Sequence, residues 1–204
     1  MNVIFLGDSI TDAGRNTERG SAASIGQSYT MIVAAKLGAK YPNRFHFINT
    51  AVSGSKVVDL YARIQSDAWN QNPWCISILV GVNDVCHAPC GVDARRYEKV
   101  YRMLLQDTRE HIPDVKFLLL EPFVLCTPEV QDNWKYLNEE VLLRAQIVKC
   151  LANEVSAYFV PLQSRFDNAC KSASASYWLI DGIHPTPAGH QLIADAWLEA
   201  FAKI

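Results

Sequence analysis

The sequence predicts an α/β fold, a three-layer α/β/α sandwich built on about five mostly parallel strands. Three observations predict it. Short apolar runs rich in β-branched and aromatic residues recur along the 204-residue chain, and longer segments with helical spacing of apolar residues separate them. Small and polar residues gather directly after several of the short runs, as they do at the carboxyl edge of an open parallel sheet.

The strands are read at "VIFL" (3–6), "FHFINT" (45–50), "CISILVGV" (75–82), "VKFLLL" (115–120) and "AYFVPL" (157–162). Helix-like segments lie between them at 28–40, 57–70, 93–111 and 129–155. In the second, Val57, Val58, Leu60, Tyr61, Ile64 and Ala68 recur near helical spacing, and "NQNP" at 70–73 reads as its exit. Thr186 caps a final helix, Pro187 suits its first turn, and Leu192, Ile193, Ala196, Trp197 and Phe201 form its apolar stripe.

No composition shift or Pro/Gly/Ser linker divides residues 1–204, so one domain is expected. A hydrophobic fraction of 50%, a charged fraction of 20% and a net charge of -2 describe a globular chain without the basic excess that nucleic acid or an anionic membrane would select. The first apolar run lacks a basic region before it, and no run reaches the roughly 18 residues of a membrane span. A cytoplasmic protein is the expectation, and a homo-oligomer stays open. Neither G-x-x-x-x-G-K-[ST] nor G-x-G-x-x-G occurs, so nucleotide binding is not expected.

The six cysteines, at 75, 86, 90, 126, 150 and 170, are read as reduced thiols in a chain too core-rich to need a disulfide framework. Cys75 and Cys150 are read as core thiols. Cys86, His87 and Cys90 lie close together, but no second ligand pair follows at zinc-site spacing, so neither a metal nor a cofactor is expected.

Four polar blocks share the predicted carboxyl rim: Gly7-Asp8-Ser9, "NTAVSGS" (49–55), "GVND" (81–84) and "DGIHP" (181–185). Their residue types are those acyl transfer needs. A serine hydroxyl such as that of Ser9 is a weak nucleophile until a base takes its proton, and His184 titrates in the right range. Asp181, three residues before it, can hold the other ring nitrogen. Charge developing on a carbonyl oxygen needs fixed donors, which the N–H groups of Ser9 and Gly54 and the Asn83 amide would supply; Gly54, lacking Cβ, brings its N–H close. Taken singly, each residue also has a plain structural role: an Asx turn at Asp181, a loop tie at Asn83, relief of strain at Gly54, a packing contact at His184. Asp8 is read as a turn or backbone partner.

"GDSIT", Gly54 in "NTAVSG", "GVND" and "DGIH" together resemble the four ordered blocks of the SGNH hydrolases, the GDSL esterases and lipases, over nearly the whole chain. The resemblance implies a flavodoxin-like sandwich, Ser9 as nucleophile, Gly54 and Asn83 in an oxyanion hole with Ser9, and Asp181 and His184 completing the triad. Position 10 is isoleucine where the name-giving pattern has leucine. The α/β-hydrolases, which share the chain order Ser, Asp, His, are set aside because no G-x-S-x-G occurs. The longer stretch "FLGDSITDAGR" with "GVNDV" is most similar to carbohydrate acetyl esterases, including acetylxylan esterases.

That subgroup implies an acetylated small molecule or oligosaccharide as substrate. A lysophospholipase or thioesterase of the same family, or a non-catalytic binding module, is the alternative. Substrate contacts are sought among Asp12, Arg15, Asp84, His87, Tyr177 and Trp178, with loop structure as the other reading of the first two, a solvated loop position for His87, and core packing for the aromatic pair. His46, His111 and His190 are read as structural or exposed.

Overall fold

Alternation of side chains along a fully covered sheet governs the layers. The structure, a computed structural model, describes residues 1–18, 21–86 and 91–204. Strands β1 (Asn2–Gly7), β2 (His46–Asn49), β3 (Pro73–Leu79), β4 (Lys116–Leu120) and β5 (Tyr158–Val160) form one sheet in the order β2-β1-β3-β4-β5, every neighbouring pair parallel. Val3, Phe5, Cys75, Leu118 and Leu120 point to one face, and Ile4, Leu6, Ile76, Ile78, Phe117 and Leu119 to the other. Both faces are buried, which is why the strands read as continuous apolar runs.

The longer helices cover these faces. Helices α2 (Tyr29–Lys40) and α9 (Pro187–Phe201) pack on the first face, and α3 (Val57–Asp67), α5 (Ala94–His111) and the second half of α6 (Trp134–Glu154) on the second. Their starts follow local chemistry. Ser28, Asp93 and Thr186 cap α2, α5 and α9 by accepting from Thr30, Arg96 and Gly189 N–H, respectively. Short helices fill the connections: α1 (Ser9–Asp12), α4 (Val82–Cys86), α7 (Gln163–Ala169) and α8 (Ala175–Trp178). Among the described residues no helix is long and apolar enough to cross a membrane.

The strand order reverses at β1: the chain leaves β1 for the outer β2 and then passes back over it to β3. Adjacent carboxyl ends whose connections depart in opposite directions open a crevice, the usual ligand position in such sheets. Ser9 follows β1 and Asn83 follows β3, so both stand at this crevice.

Some expected boundaries shift. The third strand stops at Leu79 rather than 82, because Gly81 takes φ 143° and Val82 begins α4; "GVND" is therefore a helix start. Pro73, read as part of a helix exit, instead opens β3, where its missing N–H costs least. The segment read as a helix from 129 forms a 3₁₀ turn over Pro128–Asn133 before α6 begins. The last strand keeps only Tyr158–Val160 of 157–162. Helices α7 and α8 had no clear apolar period to announce them. Cys75 is buried as expected, but Cys150 is exposed, since α6 turns Val141, Ala145, Val148 and Ala152 inward and leaves position 150 on the other side.

The first-face core closes around Trp197, which is fully buried, stacks on Phe201 at 4.7 Å and meets Phe5 at 5.6 Å. Its indole N–H donates to the buried Ser77 hydroxyl at 2.9 Å. Trp197→Ala should lower unfolding free energy by about 3–5 kcal/mol through lost contacts and cavity formation, measured by urea titration, while Trp197→Phe should retain most of it.

Candidate active site

A tight turn at the end of β1 sets the first element of the site. Asp8 caps α1, its Oδ1 accepting the Ile10 N–H at 3.0 Å, and its carbonyl accepts from Thr11 and Asp12. Gly7 leaves room for this turn: a Cβ there would lie 2.6 Å from both the Leu79 carbonyl and the Thr11 hydroxyl. Ser9 is thereby held as the first residue of a helix at the sheet edge.

The opposite side comes from residues 179–186, pinched shut by an antiparallel bridge between Leu179 and Pro185. Ile180 N–H donates to the His184 carbonyl at 2.8 Å, and Thr186 N–H to the Trp178 carbonyl at 2.9 Å. Within this loop Asp181 Oδ1 accepts the N–H groups of Ile183 and His184 at 3.0 and 2.8 Å. Its Oδ2 lies 2.7 Å from His184 Nδ1, and His184 Nε2 lies 2.8 Å from Ser9 Oγ. The three residues thus form one continuous hydrogen-bonded series. Burial raises the Asp181 pKa, but the hydrogen bonds from the His184 backbone and ring and from Ile183 outweigh it and hold the carboxyl below its ordinary value. The series is open to solvent, with the His184 side chain 44% exposed.

The loop after β2 is fastened on both flanks of Gly54. Val52 N–H donates to the Gly7 carbonyl, and Asp12 Oδ2 accepts both the N–H and the hydroxyl of Ser53, at 2.9 and 2.8 Å. On the far side Asn83 Nδ2 donates to the Ser55 carbonyl at 3.2 Å. Gly54 has φ +80°, and no atom lies within 4 Å of where its Cβ would stand. The left-handed backbone, rather than crowding, is what calls for glycine there.

Of the other expected contacts, Asp12 and Arg15 serve the loops: Arg15 Nε donates to the Ala51 carbonyl at 2.7 Å and lies 3.7 Å from Asp12. Arg15 also lines a cavity of about 700 Å³ beside β2, together with Thr50 and Val52, which Ser9, Asp181 and His184 do not line. Asp84 does not reach the rim. It is 1% exposed, and both its carboxylate oxygens face the Val57 N–H, because α4 turns position 84 inward. Tyr177 is exposed, while Trp178 packs edge-on against it at 4.9 Å and against the core. His87 and Cys90 lie outside the described residues.

Two buried groups near the series, Asp8 and His190, hold the structural places read for them, but their shifted ionisation was not part of that reading. Burial lifts Asp8 from 3.8 to about 7, eased by the Ile10 hydrogen bond and the nearby His184; its Oδ2 has no hydrogen-bond partner among the described residues. Burial likewise lowers His190 to about 4, keeping its ring neutral while Nδ1 accepts the Tyr29 N–H at 3.3 Å. The spacing of His190 on the apolar stripe of α9 was the available signal.

Known proteins resemble this chain in sequence and in fold. The sequence pattern of the GDSL-like lipase/acylhydrolase family matches residues 5–192. An acetylxylan esterase from Geobacillus stearothermophilus is 32% identical over 206 residues, covering 96% of this chain and 91% of that protein. The crystal structure of Axe2, an acetylxylan esterase from Geobacillus stearothermophilus that is 32% identical, superposes with a TM-score of 0.86, covering 98% of this chain and 93% of that one. A protein described as a GDSL-like lipase, from Parabacteroides merdae, is 35% identical with a TM-score of 0.92, covering 98% and 95% of the two chains. The chain belongs to the GDSL-like lipase/acylhydrolase family. It is a carboxylic ester hydrolase with the α/β fold of that family.

The raised Asp8 pKa makes stability depend on pH with a defined sign. The unfolded chain releases this proton near 3.8 and the folded protein near 7, so between those values the native state holds the extra proton and stability falls as pH rises. Urea unfolding at about pH 4, 5.5, 7 and 8 should show the stability of wild type relative to Asp8→Asn declining across the first three points and then levelling. A relative stability constant throughout would remove the burial argument.

Proposed function

We propose that the protein hydrolyses short-chain esters, acetyl esters of carbohydrates above all, through a Ser9–His184–Asp181 triad and an acyl-enzyme intermediate. The hydrogen-bonded series from Ser9 Oγ through His184 to Asp181 carries this reading. As Oγ attacks the ester carbonyl, its proton passes to His184 Nε2, and Asp181 steadies the resulting imidazolium. The carbonyl oxygen becomes an oxyanion, for which the N–H groups of Ser9 and Gly54 and the Asn83 amide are the donors. Collapse expels the alcohol, protonated by His184, and leaves the acyl group on Ser9. Water then gives a proton to His184 and attacks the acyl carbon; the second collapse returns that proton to Ser9 Oγ and frees the acid.

The acetyl preference rests on the openness of the site and on the kinship with an acetylxylan esterase. A long acyl chain gains about 0.8 kcal/mol per CH₂ only where apolar walls cover it, and among the described residues Ser9, His184 and Asp181 line none of four surface cavities of about 370–700 Å³. Tyr177, 57% exposed and a few residues before Asp181, offers an aromatic face to a sugar ring.

Ser9→Ala should abolish hydrolysis of p-nitrophenyl acetate with the fold retained by circular dichroism, and Asp181→Asn should lower kcat by up to about 10⁴-fold. Near-normal turnover by either protein would remove that residue from the mechanism. In an acyl series the rate should fall from acetyl to octanoyl, and acetylated xylo-oligosaccharide should exceed a lysophospholipid. Rates climbing with chain length would instead establish the lipid-directed reading.

A further inference from the structure

Asp84 carries a burial that its neighbours must justify. It is 1% exposed, and burial raises its pKa to about 7, eased by the Val57 hydrogen bond and by the guanidinium of Arg144. Its carboxylate oxygens lie 3.2 and 3.3 Å from the Val57 backbone nitrogen, the first residue of α3 and three positions after Gly54. The preceding residue, Asn83, reaches the same loop at the Ser55 carbonyl. Behind Asp84 the frame is closed: its carbonyl accepts the Val92 N–H at 2.8 Å, and the Val92 carbonyl accepts Arg144 Nη2 at 2.7 Å. Arg144 is itself buried and paired with Glu140 one turn earlier on α6. With Asp12 holding Ser53, Gly54 is bracketed by two carboxylates, one a residue before it and one three residues after.

We infer that Asp84 is a positioning residue: by accepting the Val57 N–H it joins α4 to the head of α3, so that the Asn83 amide and the Gly54 N–H are presented to the oxyanion as one rigid pair. It touches no substrate. The inference rests on the proposed acyl transfer, but the bracing itself is a property of the loop and is readable without turnover.

The consequence concerns the transition state more than the bound ester. A ground-state carbonyl tolerates a donor slightly out of place, whereas a developing oxyanion loses stabilisation steeply with misplacement. Loss of Asp84 should therefore fall on kcat, with KM held.

Two variants remove the bond from opposite ends. Asp84→Ala deletes the acceptor. Val57→Pro deletes the donor, and proline suits the first turn of α3, where Lys56 before it is already extended, with φ −103° and ψ 169°. On p-nitrophenyl acetate each should lose about 10- to 100-fold in kcat with KM within about twofold. Inhibition by phenylboronic acid, whose tetrahedral adduct on Ser9 mimics the oxyanion, should weaken by a similar factor. Asp84→Asn, which keeps one carbonyl oxygen for Val57, should return kcat to within about fivefold of wild type.

Amide hydrogen exchange at Gly54 and Ser55 should quicken in Asp84→Ala and Val57→Pro but not in Asp84→Asn. If one of the first two variants fails to fold, the other carries the test. Unchanged kcat and boronate affinity in a folded variant would overturn the assignment, as would a loss confined to KM or an Asp84→Asn protein as impaired as Asp84→Ala. Faster exchange without any kinetic loss would also overturn it. Absence of ester hydrolysis in wild type, or its persistence in Ser9→Ala, would count against the proposed function and leave the exchange result to judge the brace.

Discussion

Parallel strand pairing is the constraint from which the site follows. A parallel sheet must send every connection back across a face, so both faces are covered, the strands are apolar throughout, and all the loops that follow strands emerge on one edge. Here the order β2-β1-β3-β4-β5 adds a reversal beside β1, which separates the connections leaving β1 and β3 and leaves the crevice where Ser9 and Asn83 stand. Chemistry distributed over four distant segments is assembled by hydrogen bonding in the sheet, without any of those segments needing stability of its own.

Polar groups buried under this edge then do the finer alignment. Asp8 and Asp84 each directly adjoin a residue of the proposed reaction, and each spends its carboxylate on a backbone N–H at a helix start. Such carboxylates are costly to bury, and their raised pKa values record that cost. Replacing either with an apolar residue would relieve the desolvation but leave a helix-terminal N–H without its acceptor.

The strands and the long helices were legible because their signals are periodic and redundant: losing one apolar residue of "VIFL" or of the α9 stripe would not hide the pattern. Ser9, Asp181 and His184 were legible as residue types in two separate blocks, and the fold brings them to hydrogen-bonding distance. The part that was not legible depends on single dihedral angles and on direction. Whether Asp84 faces outward to a substrate or inward to Val57 depends on α4 starting at Val82, a boundary no periodicity marks over five residues. Cys150 was misplaced for a similar reason, since apolar neighbours in sequence say little about which side of α6 a residue occupies. Asp12 and Ser53 are 41 residues apart, and nothing local announces that they pair.

The bond between Ser9 and His184 spans 175 residues. The proposed base and its aspartate share one pinched loop, whereas the proposed nucleophile belongs to the turn after β1. During translation, then, Ser9 leaves the ribosome 175 residues before His184, and the loop that carries His184 leads straight into α9, which packs onto α2 and the sheet. On the proposed mechanism a nascent chain stays hydrolytically silent until both segments have been made and packed, so its activity would report the closure of the sheet edge.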